Sequence, residues 1–177
     1  AGATRGSIKE ADIALAVSNQ IQKELDGKNG IRVALTRETN QAVSLIQRSE
    51  MAKRLRGDLF ISIHANSNLD SRVRGAEFYF KSQLPPEEES LFLASRENSV
   101  DPETILDIEP KSRPAGLAAI KEDLETTYHL YMSRELGRSL KDKWMEDHGV
   151  KSAKVRQGPF HVISQVPMPS LLVELGF

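Results

Sequence analysis

Three ionisable residues in this sequence, His64, Glu174 and Glu10, have positions at which a side chain could take part in chemistry. His64 follows the hydrophobic run of residues 59–63, and Glu174 follows the run of residues 170–173. Both runs are short and typical of buried strands, so each side chain should emerge where its strand ends. Layered α/β folds collect functional groups at the carboxyl ends of strands. Imidazole and carboxylate groups at such an edge could bind a metal ion or move protons.

Each of these residues also has a purely structural explanation. Glu10 stands three residues after Ser7, which is the spacing of a capping box at the start of a helix. His64 and Glu174 could make hydrogen bonds that only stabilise the fold. The residue types alone leave these alternatives open.

The elements that must position these residues alternate between helices and strands. Apolar residues at helical spacing predict helices that begin near residues 7, 43 and 116, the last being one long helix or two in succession. Short apolar runs predict strands at residues 31–35, 59–63, 75–80, 160–163 and 170–174. This alternation predicts an α/β fold, in which a twisted, mostly parallel sheet carries helices on both faces.

The composition predicts one soluble globular domain. The chain has 177 residues, a net charge of −1, and no apolar run near the roughly 20 residues of a membrane span. Because basic and acidic residues nearly balance, no basic field favours nucleic acid as a partner. The sequence contains no cysteine, which excludes a cysteine nucleophile and thiolate ligands. Any metal must therefore bind to His, Asp or Glu.

Several separated motifs occur together in this chain: Ser-Ile-His-Ala-Asn at residues 62–66, Gly-Ala-Glu at residues 75–77 and Pro-Ser-Leu-Leu-Val-Glu-Leu-Gly-Phe at residues 169–177. With residues 6–13 and 45–52, they resemble the zinc-dependent N-acetylmuramoyl-L-alanine amidases of type 3, which act in bacterial cell separation. The resemblance implies a zinc-exopeptidase-like architecture and one catalytic domain over residues 1–177. It also implies a domain cut short at both ends, which lacks its first strand and C-terminal helix.

The resemblance assigns roles to particular residues. It makes Glu10 and His64 ligands of one Zn²⁺, whose third protein ligand would be a histidine upstream of residue 1. It makes Glu174 the catalytic carboxylate, which would take a proton from a zinc-activated water and return it to the leaving amine. The bond cut would join N-acetylmuramic acid to L-alanine. Asn66 and His161 are candidates for contact with the substrate, and their alternatives are a turn residue and strand packing.

Residues 81–126 form a predicted, partly helical insertion, which is longer than a simple connection needs. The resemblance implies that a helix of this insertion covers the site and offers a carboxylate to the metal until an activator protein displaces it. The candidate carboxylates are Glu122, Asp123 and Glu125, or the acidic cluster at residues 87–89. The alternative is that these acidic groups are only solvated faces.

The implied substrate is peptidoglycan, which would place the protein in the bacterial periplasm or at the cell surface. Two rival functions stay open. One is a zinc peptidase that acts on soluble peptides, and the other is a catalytically inactive module that binds or regulates peptidoglycan. The products of hydrolysis would separate these three functions.

Overall fold

The structure is a computed structural model that describes residues 4–5, 8–65, 75–81, 85–99, 115–148 and 152–176. Its strands are β1 (Thr4–Arg5), β2 (Ile8–Lys9), β3 (Phe60–Ala65), β4 (Ala76–Phe80), β5 (Ala153–Gln157) and β6 (Ser170–Leu175). Its helices are α1 (Glu10–Leu25), α2 (Leu45–Arg54), α3 (Glu88–Asn98), α4 (Leu117–His148) and α5 (His161–Ser164). None of these helices has the length and apolar character that a membrane span requires.

Four strands form the main sheet in the order β3, β6, β4, β5. The outer pairs, β3 with β6 and β4 with β5, are parallel, whereas β6 and β4 in the centre are antiparallel. Helix α4 covers one face, and α3 and α5 pack on the other. The predicted α/β fold with helices on both faces is therefore confirmed.

The register of the sheet places four polar residues in one row. His64 on β3 lies opposite Glu174 on β6, and Glu174 lies opposite Glu77 on β4. Glu77 in turn lies opposite Lys154 on β5. Because paired residues project to the same side of a sheet, this row lies on one face. We call it the polar row.

Each face of the sheet has its own apolar core. On the face away from the polar row, Phe78, Leu171 and Val173 pack with α4 residues such as Leu136 and Leu140. On the face of the polar row, the core is formed by strand residues together with residues of α3 and α5: Phe60, Tyr79, Leu172, Leu93, Ala94, Phe160, Val162 and Ile163. Helices therefore anchor both faces by burying apolar surface.

Gly75 in the Gly-Ala-Glu motif has a packing reason to be glycine. Its φ is +157°, and a Cβ atom at this position would collide with the carbonyl oxygen of Ser152. The chain before β4 thus passes close to the chain before β5, which is a geometry that only glycine allows.

Two predicted strands are wrong. Residues 31–35 form no strand, because their polar groups bond to the end of α1 instead: Val33 N donates to Asp26 Oδ1 at 2.8 Å and Gln22 Nε2 donates to Val33 O at 3.0 Å. Residues 160–163 were expected as a strand, but 161–164 form the short helix α5. A four-residue apolar run has no periodicity that distinguishes a buried strand from a buried helical turn.

Two further expectations differ from the structure. Helix α1 begins at Glu10 rather than Ser7, and its N-cap, Lys9, makes no side-chain capping bond. A capping box occurs instead at the start of α2, between Ser44 and Gln47. Strand β5 has no counterpart among the predicted strands, whereas the predicted helix from residue 116 is confirmed as the single helix α4.

Candidate active site

Side chains from α1, β3 and α3 meet above one end of the polar row. His64 Nδ1 lies 2.9 Å from Glu10 Oε1 and 3.2 Å from Glu97 Oε2. The three ligand atoms lie within 4.8 Å of one another. We call Glu10, His64 and Glu97 the acidic–histidine cluster. Glu10 is the first residue of α1, and its carboxylate bonds to His64. The expected capping box with Ser7 lies outside the described residues.

Glu97 is the member of this cluster that the sequence analysis missed. It lies on α3, seven residues after Ser90 and three after Ala94, both of which are buried. Together with Leu93, these residues have the spacing i, i+3, i+4, i+7 of a single helical face. A glutamate in line with a buried stripe is the signal that could have identified it.

The second ring nitrogen of His64 is also held. Ser62, two residues earlier on β3 and on the same face, places its Oγ 3.1 Å from His64 Nε2. If Nδ1 binds a metal ion, Nε2 carries the proton and donates to Ser62 Oγ. Such a contact fixes the tautomer and the orientation of a histidine ligand.

The charges of the cluster favour a proton on His64. Burial lowers the pKa of His64, but hydrogen bonds to Glu10 and Glu97 and the charge of Glu174 outweigh burial and raise it to about 9. For Glu97, burial raises the pKa, whereas the bond to His64 lowers it, and the net shift is downward. The cluster therefore holds one cation between carboxylates.

Glu174 lies beside His64 in the polar row and is 1% exposed. Neither carboxylate oxygen has a hydrogen-bond partner among the residues that the structure describes. Burial raises its pKa to about 7, and the charge of His64 limits this rise. A buried carboxylate that titrates near neutral pH suits a general acid–base role.

The acidic–histidine cluster fits a zinc ion. One imidazole nitrogen and two carboxylate oxygens are suitable zinc ligands. Ligand atoms about 2 Å from a tetrahedral zinc lie about 3.3 Å from one another, which agrees with the distances between His64 and the two glutamates. A zinc ion would replace the proton that these carboxylates now share with His64.

The other end of the polar row carries a second network. Tyr79 Oη donates a hydrogen bond of 2.5 Å to Glu77 Oε2, and Arg156 Nε lies 3.3 Å from Glu77 Oε1. Arg156 also pairs with Glu87 and with Glu89, its Nη2 lying 2.7 Å from Glu89 Oε2. Because Glu87 is the N-cap of α3 and Glu89 lies in its first turn, Arg156 joins the sheet to the start of that helix.

The remaining predicted site residues have different locations. Asn66 lies outside the described residues. His161 begins α5, and its backbone N–H donates to Asn98 Oδ1, one residue beyond Glu97. Glu122 and Glu125 line a separate pocket of about 310 Å³ that also includes Ser170 at the start of β6. The structure thus brings Glu97 to His64, while Glu122 and Glu125 lie near the start of β6. Asp123, between them on α4, does not line this pocket.

Comparison with known proteins identifies the family. A model of the family described as N-acetylmuramoyl-L-alanine amidase matches residues 1–177. The amidase AmiA of Escherichia coli K12 is 28% identical over 174 residues, which cover 98% of this chain and 59% of that protein. The chain thus spans about three fifths of that relative's length.

Solved structures share the fold. The amidase AmiC2 of Nostoc punctiforme matches with a TM-score of 0.60 and 21% identity, over 100% of this chain and 72% of that one. The amidase CwlD of Clostridioides difficile, solved in complex with the GerS lipoprotein, matches with a TM-score of 0.61 and 16% identity, over 99% and 75% of the two chains. Since the family model matches the whole sequence, this chain belongs to the N-acetylmuramoyl-L-alanine amidase family.

Proposed function

We propose that this protein hydrolyses the amide bond between N-acetylmuramic acid and L-alanine in peptidoglycan, with zinc as its cofactor. One observation carries the proposal: Glu174, buried and without a described hydrogen-bond partner, lies beside a cluster whose atoms suit a zinc ion. Family membership supports the same reaction. A role in cell-wall remodelling or daughter-cell separation, in the periplasm or at the cell surface, follows from this substrate.

In the proposed mechanism, His64 and Glu10 would hold the metal, and Ser62 would keep the imidazole in the required tautomer. A histidine upstream of residue 1 stays the predicted third ligand. When bound, zinc would supply a water of lowered pKa and would polarise the amide carbonyl. Glu174 accepts a proton from the attacking water and then delivers it to the nitrogen of the leaving L-alanine. Burial raises the pKa of Glu174 to about 7, so its carboxylate can both accept and release a proton near neutral pH.

We also propose that α3 blocks the site and that an activator protein displaces it. A catalytic zinc site has three protein ligands and keeps its fourth position open for water or substrate. Glu97 would occupy this fourth position and so exclude the water or the substrate. Glu97 is the carboxylate that we propose for this role, for which the sequence offered Glu122, Asp123 and Glu125 or the acidic cluster at residues 87–89. The lipoprotein complex of the CwlD amidase is a precedent for a protein partner in this fold.

The test is mass analysis of what the full-length protein releases from purified sacculi, with zinc and with a chelator. Release of intact stem peptides with a free L-alanine amine, lost with the chelator, is the expected result. Glu174→Gln should release nothing, whereas Glu146→Gln, an exposed substitution on α4, should behave like the wild type. Release of free amino acids from soluble peptides would support a peptidase instead. No release by a protein that lacks α3 would support an inactive binding module.

A further inference from the structure

Helix α3 crosses the sheet along the polar row. At about 4.8 Å between neighbouring strands, His64 on β3 and Lys154 on β5 lie about 14 Å apart. An eleven-residue helix such as α3 is about 16 Å long, which matches this width. One end of α3 brings Glu97 to His64, and the other brings Glu87 and Glu89 to Arg156. The helix therefore spans the width of the sheet, from His64 in the polar row to Arg156 in the adjacent row, opposite Tyr79, with carboxylates at both ends.

The carboxylates around Arg156 are of two kinds. The side chain of Glu77 is buried, with 8% of its surface exposed, and that of Arg156 is 11% exposed. The side chains of Glu87 and Glu89 are 72% and 66% exposed. Glu77 is thus a buried ionic partner of Arg156, whereas two solvent-exposed glutamates occupy its terminal nitrogens separately. A single carboxylate could take both terminal nitrogens in the paired geometry that guanidinium favours.

The surroundings of Arg156 are basic. An open pocket of about 400 Å³ lies beside it at the edge strand β5, which residues of helix α4 reach from the opposite face of the sheet. Four cationic residues and one carboxylate line this pocket: Arg138, Lys141, Lys154, Arg156 and Glu87. If Glu87 moved away with α3, the pocket would hold only cationic groups among its charged lining. Such a pocket favours an anionic ligand.

We propose that Arg156, assisted by Lys154, binds a carboxylate of the peptide stem. While α3 covers the site, Glu87 and Glu89 occupy the position that this carboxylate would take. This inference rests on the proposed function, because it requires the substrate to lie along the polar row. An extended peptide advances about 3.3 to 3.5 Å per residue, so the 14 Å of the row correspond to about four residues. Arg156 would therefore select stems that carry a carboxylate about four residues from the bond that is cut.

The test compares two tetrapeptides that begin with L-alanine and differ only at the C-terminus, one a free carboxylate and the other an amide. Calorimetry on full-length Glu87→Gln/Glu89→Gln protein should show about 10-fold to 100-fold tighter binding of the carboxylate form than of the amide form, the range of a charge-assisted pair. Glu87→Gln/Glu89→Gln should bind the carboxylate form more tightly than the wild type, because the competing groups are gone. Arg156→Gln should lose the preference, and Arg134→Gln on the exposed side of α4 should keep it.

Four outcomes would count against the inference or the proposed reaction. Equal binding of the two peptides by both the wild type and Glu87→Gln/Glu89→Gln would overturn the proposal. If Arg156→Gln does not fold, Lys154→Gln, at an exposed side chain, should reduce the preference several-fold, and an unchanged preference would count against it. Cleavage of muramoyl peptides that end in carboxylate or amide is measured separately. Cleavage without any carboxylate preference refutes only this inference, whereas no cleavage despite a binding preference refutes only the proposed reaction.

Discussion

Removal of His64 should change how the stability of the metal-free protein depends on pH. The pKa of His64 lies at 6.5 when unperturbed and at about 9 in the folded protein. At 1.36 kcal/mol for each pH unit between these values, His64 stabilises the metal-free fold by about 3 kcal/mol. Because the folded pKa is the higher one, this contribution is complete below pH 6.5 and is lost as the pH rises through 9.

Urea unfolding of chelator-treated protein between pH 6 and pH 9.5 measures this effect. His64 should account for about 3 kcal/mol of the unfolding free energy that the wild type loses over that range, and His64→Gln should lose correspondingly less. His129→Gln is the matched control, because His129 lies on α4 in the separate pocket. An excess of zinc should reduce or reverse the fall of the unfolding free energy with pH, since a metal ion competes with the proton for His64 Nδ1. Equal slopes for the wild type and His64→Gln would refute the geometry of the acidic–histidine cluster.

Three further substitutions test individual roles. Glu174→Gln should lower kcat by at least about 100-fold, the scale of general acid–base catalysis, while zinc binding measured by calorimetry is retained. Glu97→Gln should increase the rate of stem-peptide release from sacculi, and Glu88→Gln, at an exposed position on the same helix, should not. Ser62→Ala should weaken zinc binding about 10-fold to 100-fold because the imidazole loses its orienting contact. An unchanged affinity would remove that role for Ser62.

Strands β3, β4 and β6, and the places of His64 and Glu174 on them, could be predicted because the apolar runs that mark them are visible in the local sequence. His64 and Glu174 end apolar strands, and those strands proved to be parallel neighbours, so the two side chains lie side by side. A helical region was also predicted from residue 116, as one long helix or two in succession, and the structure has the single helix α4 there. The role of Glu10 as a zinc ligand came from the family resemblance. The spacing between Ser7 and Glu10 alone was equally consistent with a capping box.

The wrong predictions concern segments whose conformation or burial depends on tertiary contacts. Residues 160–163 and 31–35 are too short for their periodicity to be decisive, and contacts with neighbouring helices determine their conformation. Glu97 was missed because the insertion contains many acidic residues, and composition does not show which of them faces inward. Only the position of Glu97 in line with Leu93 and Ala94 distinguishes it from the exposed glutamates at the start of α3.

The two ends of α3 should act together, because a rigid helix connects them. Release of Glu87 and Glu89 from Arg156 frees one end, and release of Glu97 from His64 frees the other. Either release should raise the rate of stem-peptide hydrolysis by allowing the whole helix to leave. Once one end is free, release of the other should add little, so Glu87→Gln/Glu89→Gln and Glu97→Gln should be less than additive in a double-mutant cycle of kcat/KM. Full additivity would mean that the two ends act independently and that α3 does not move as a unit.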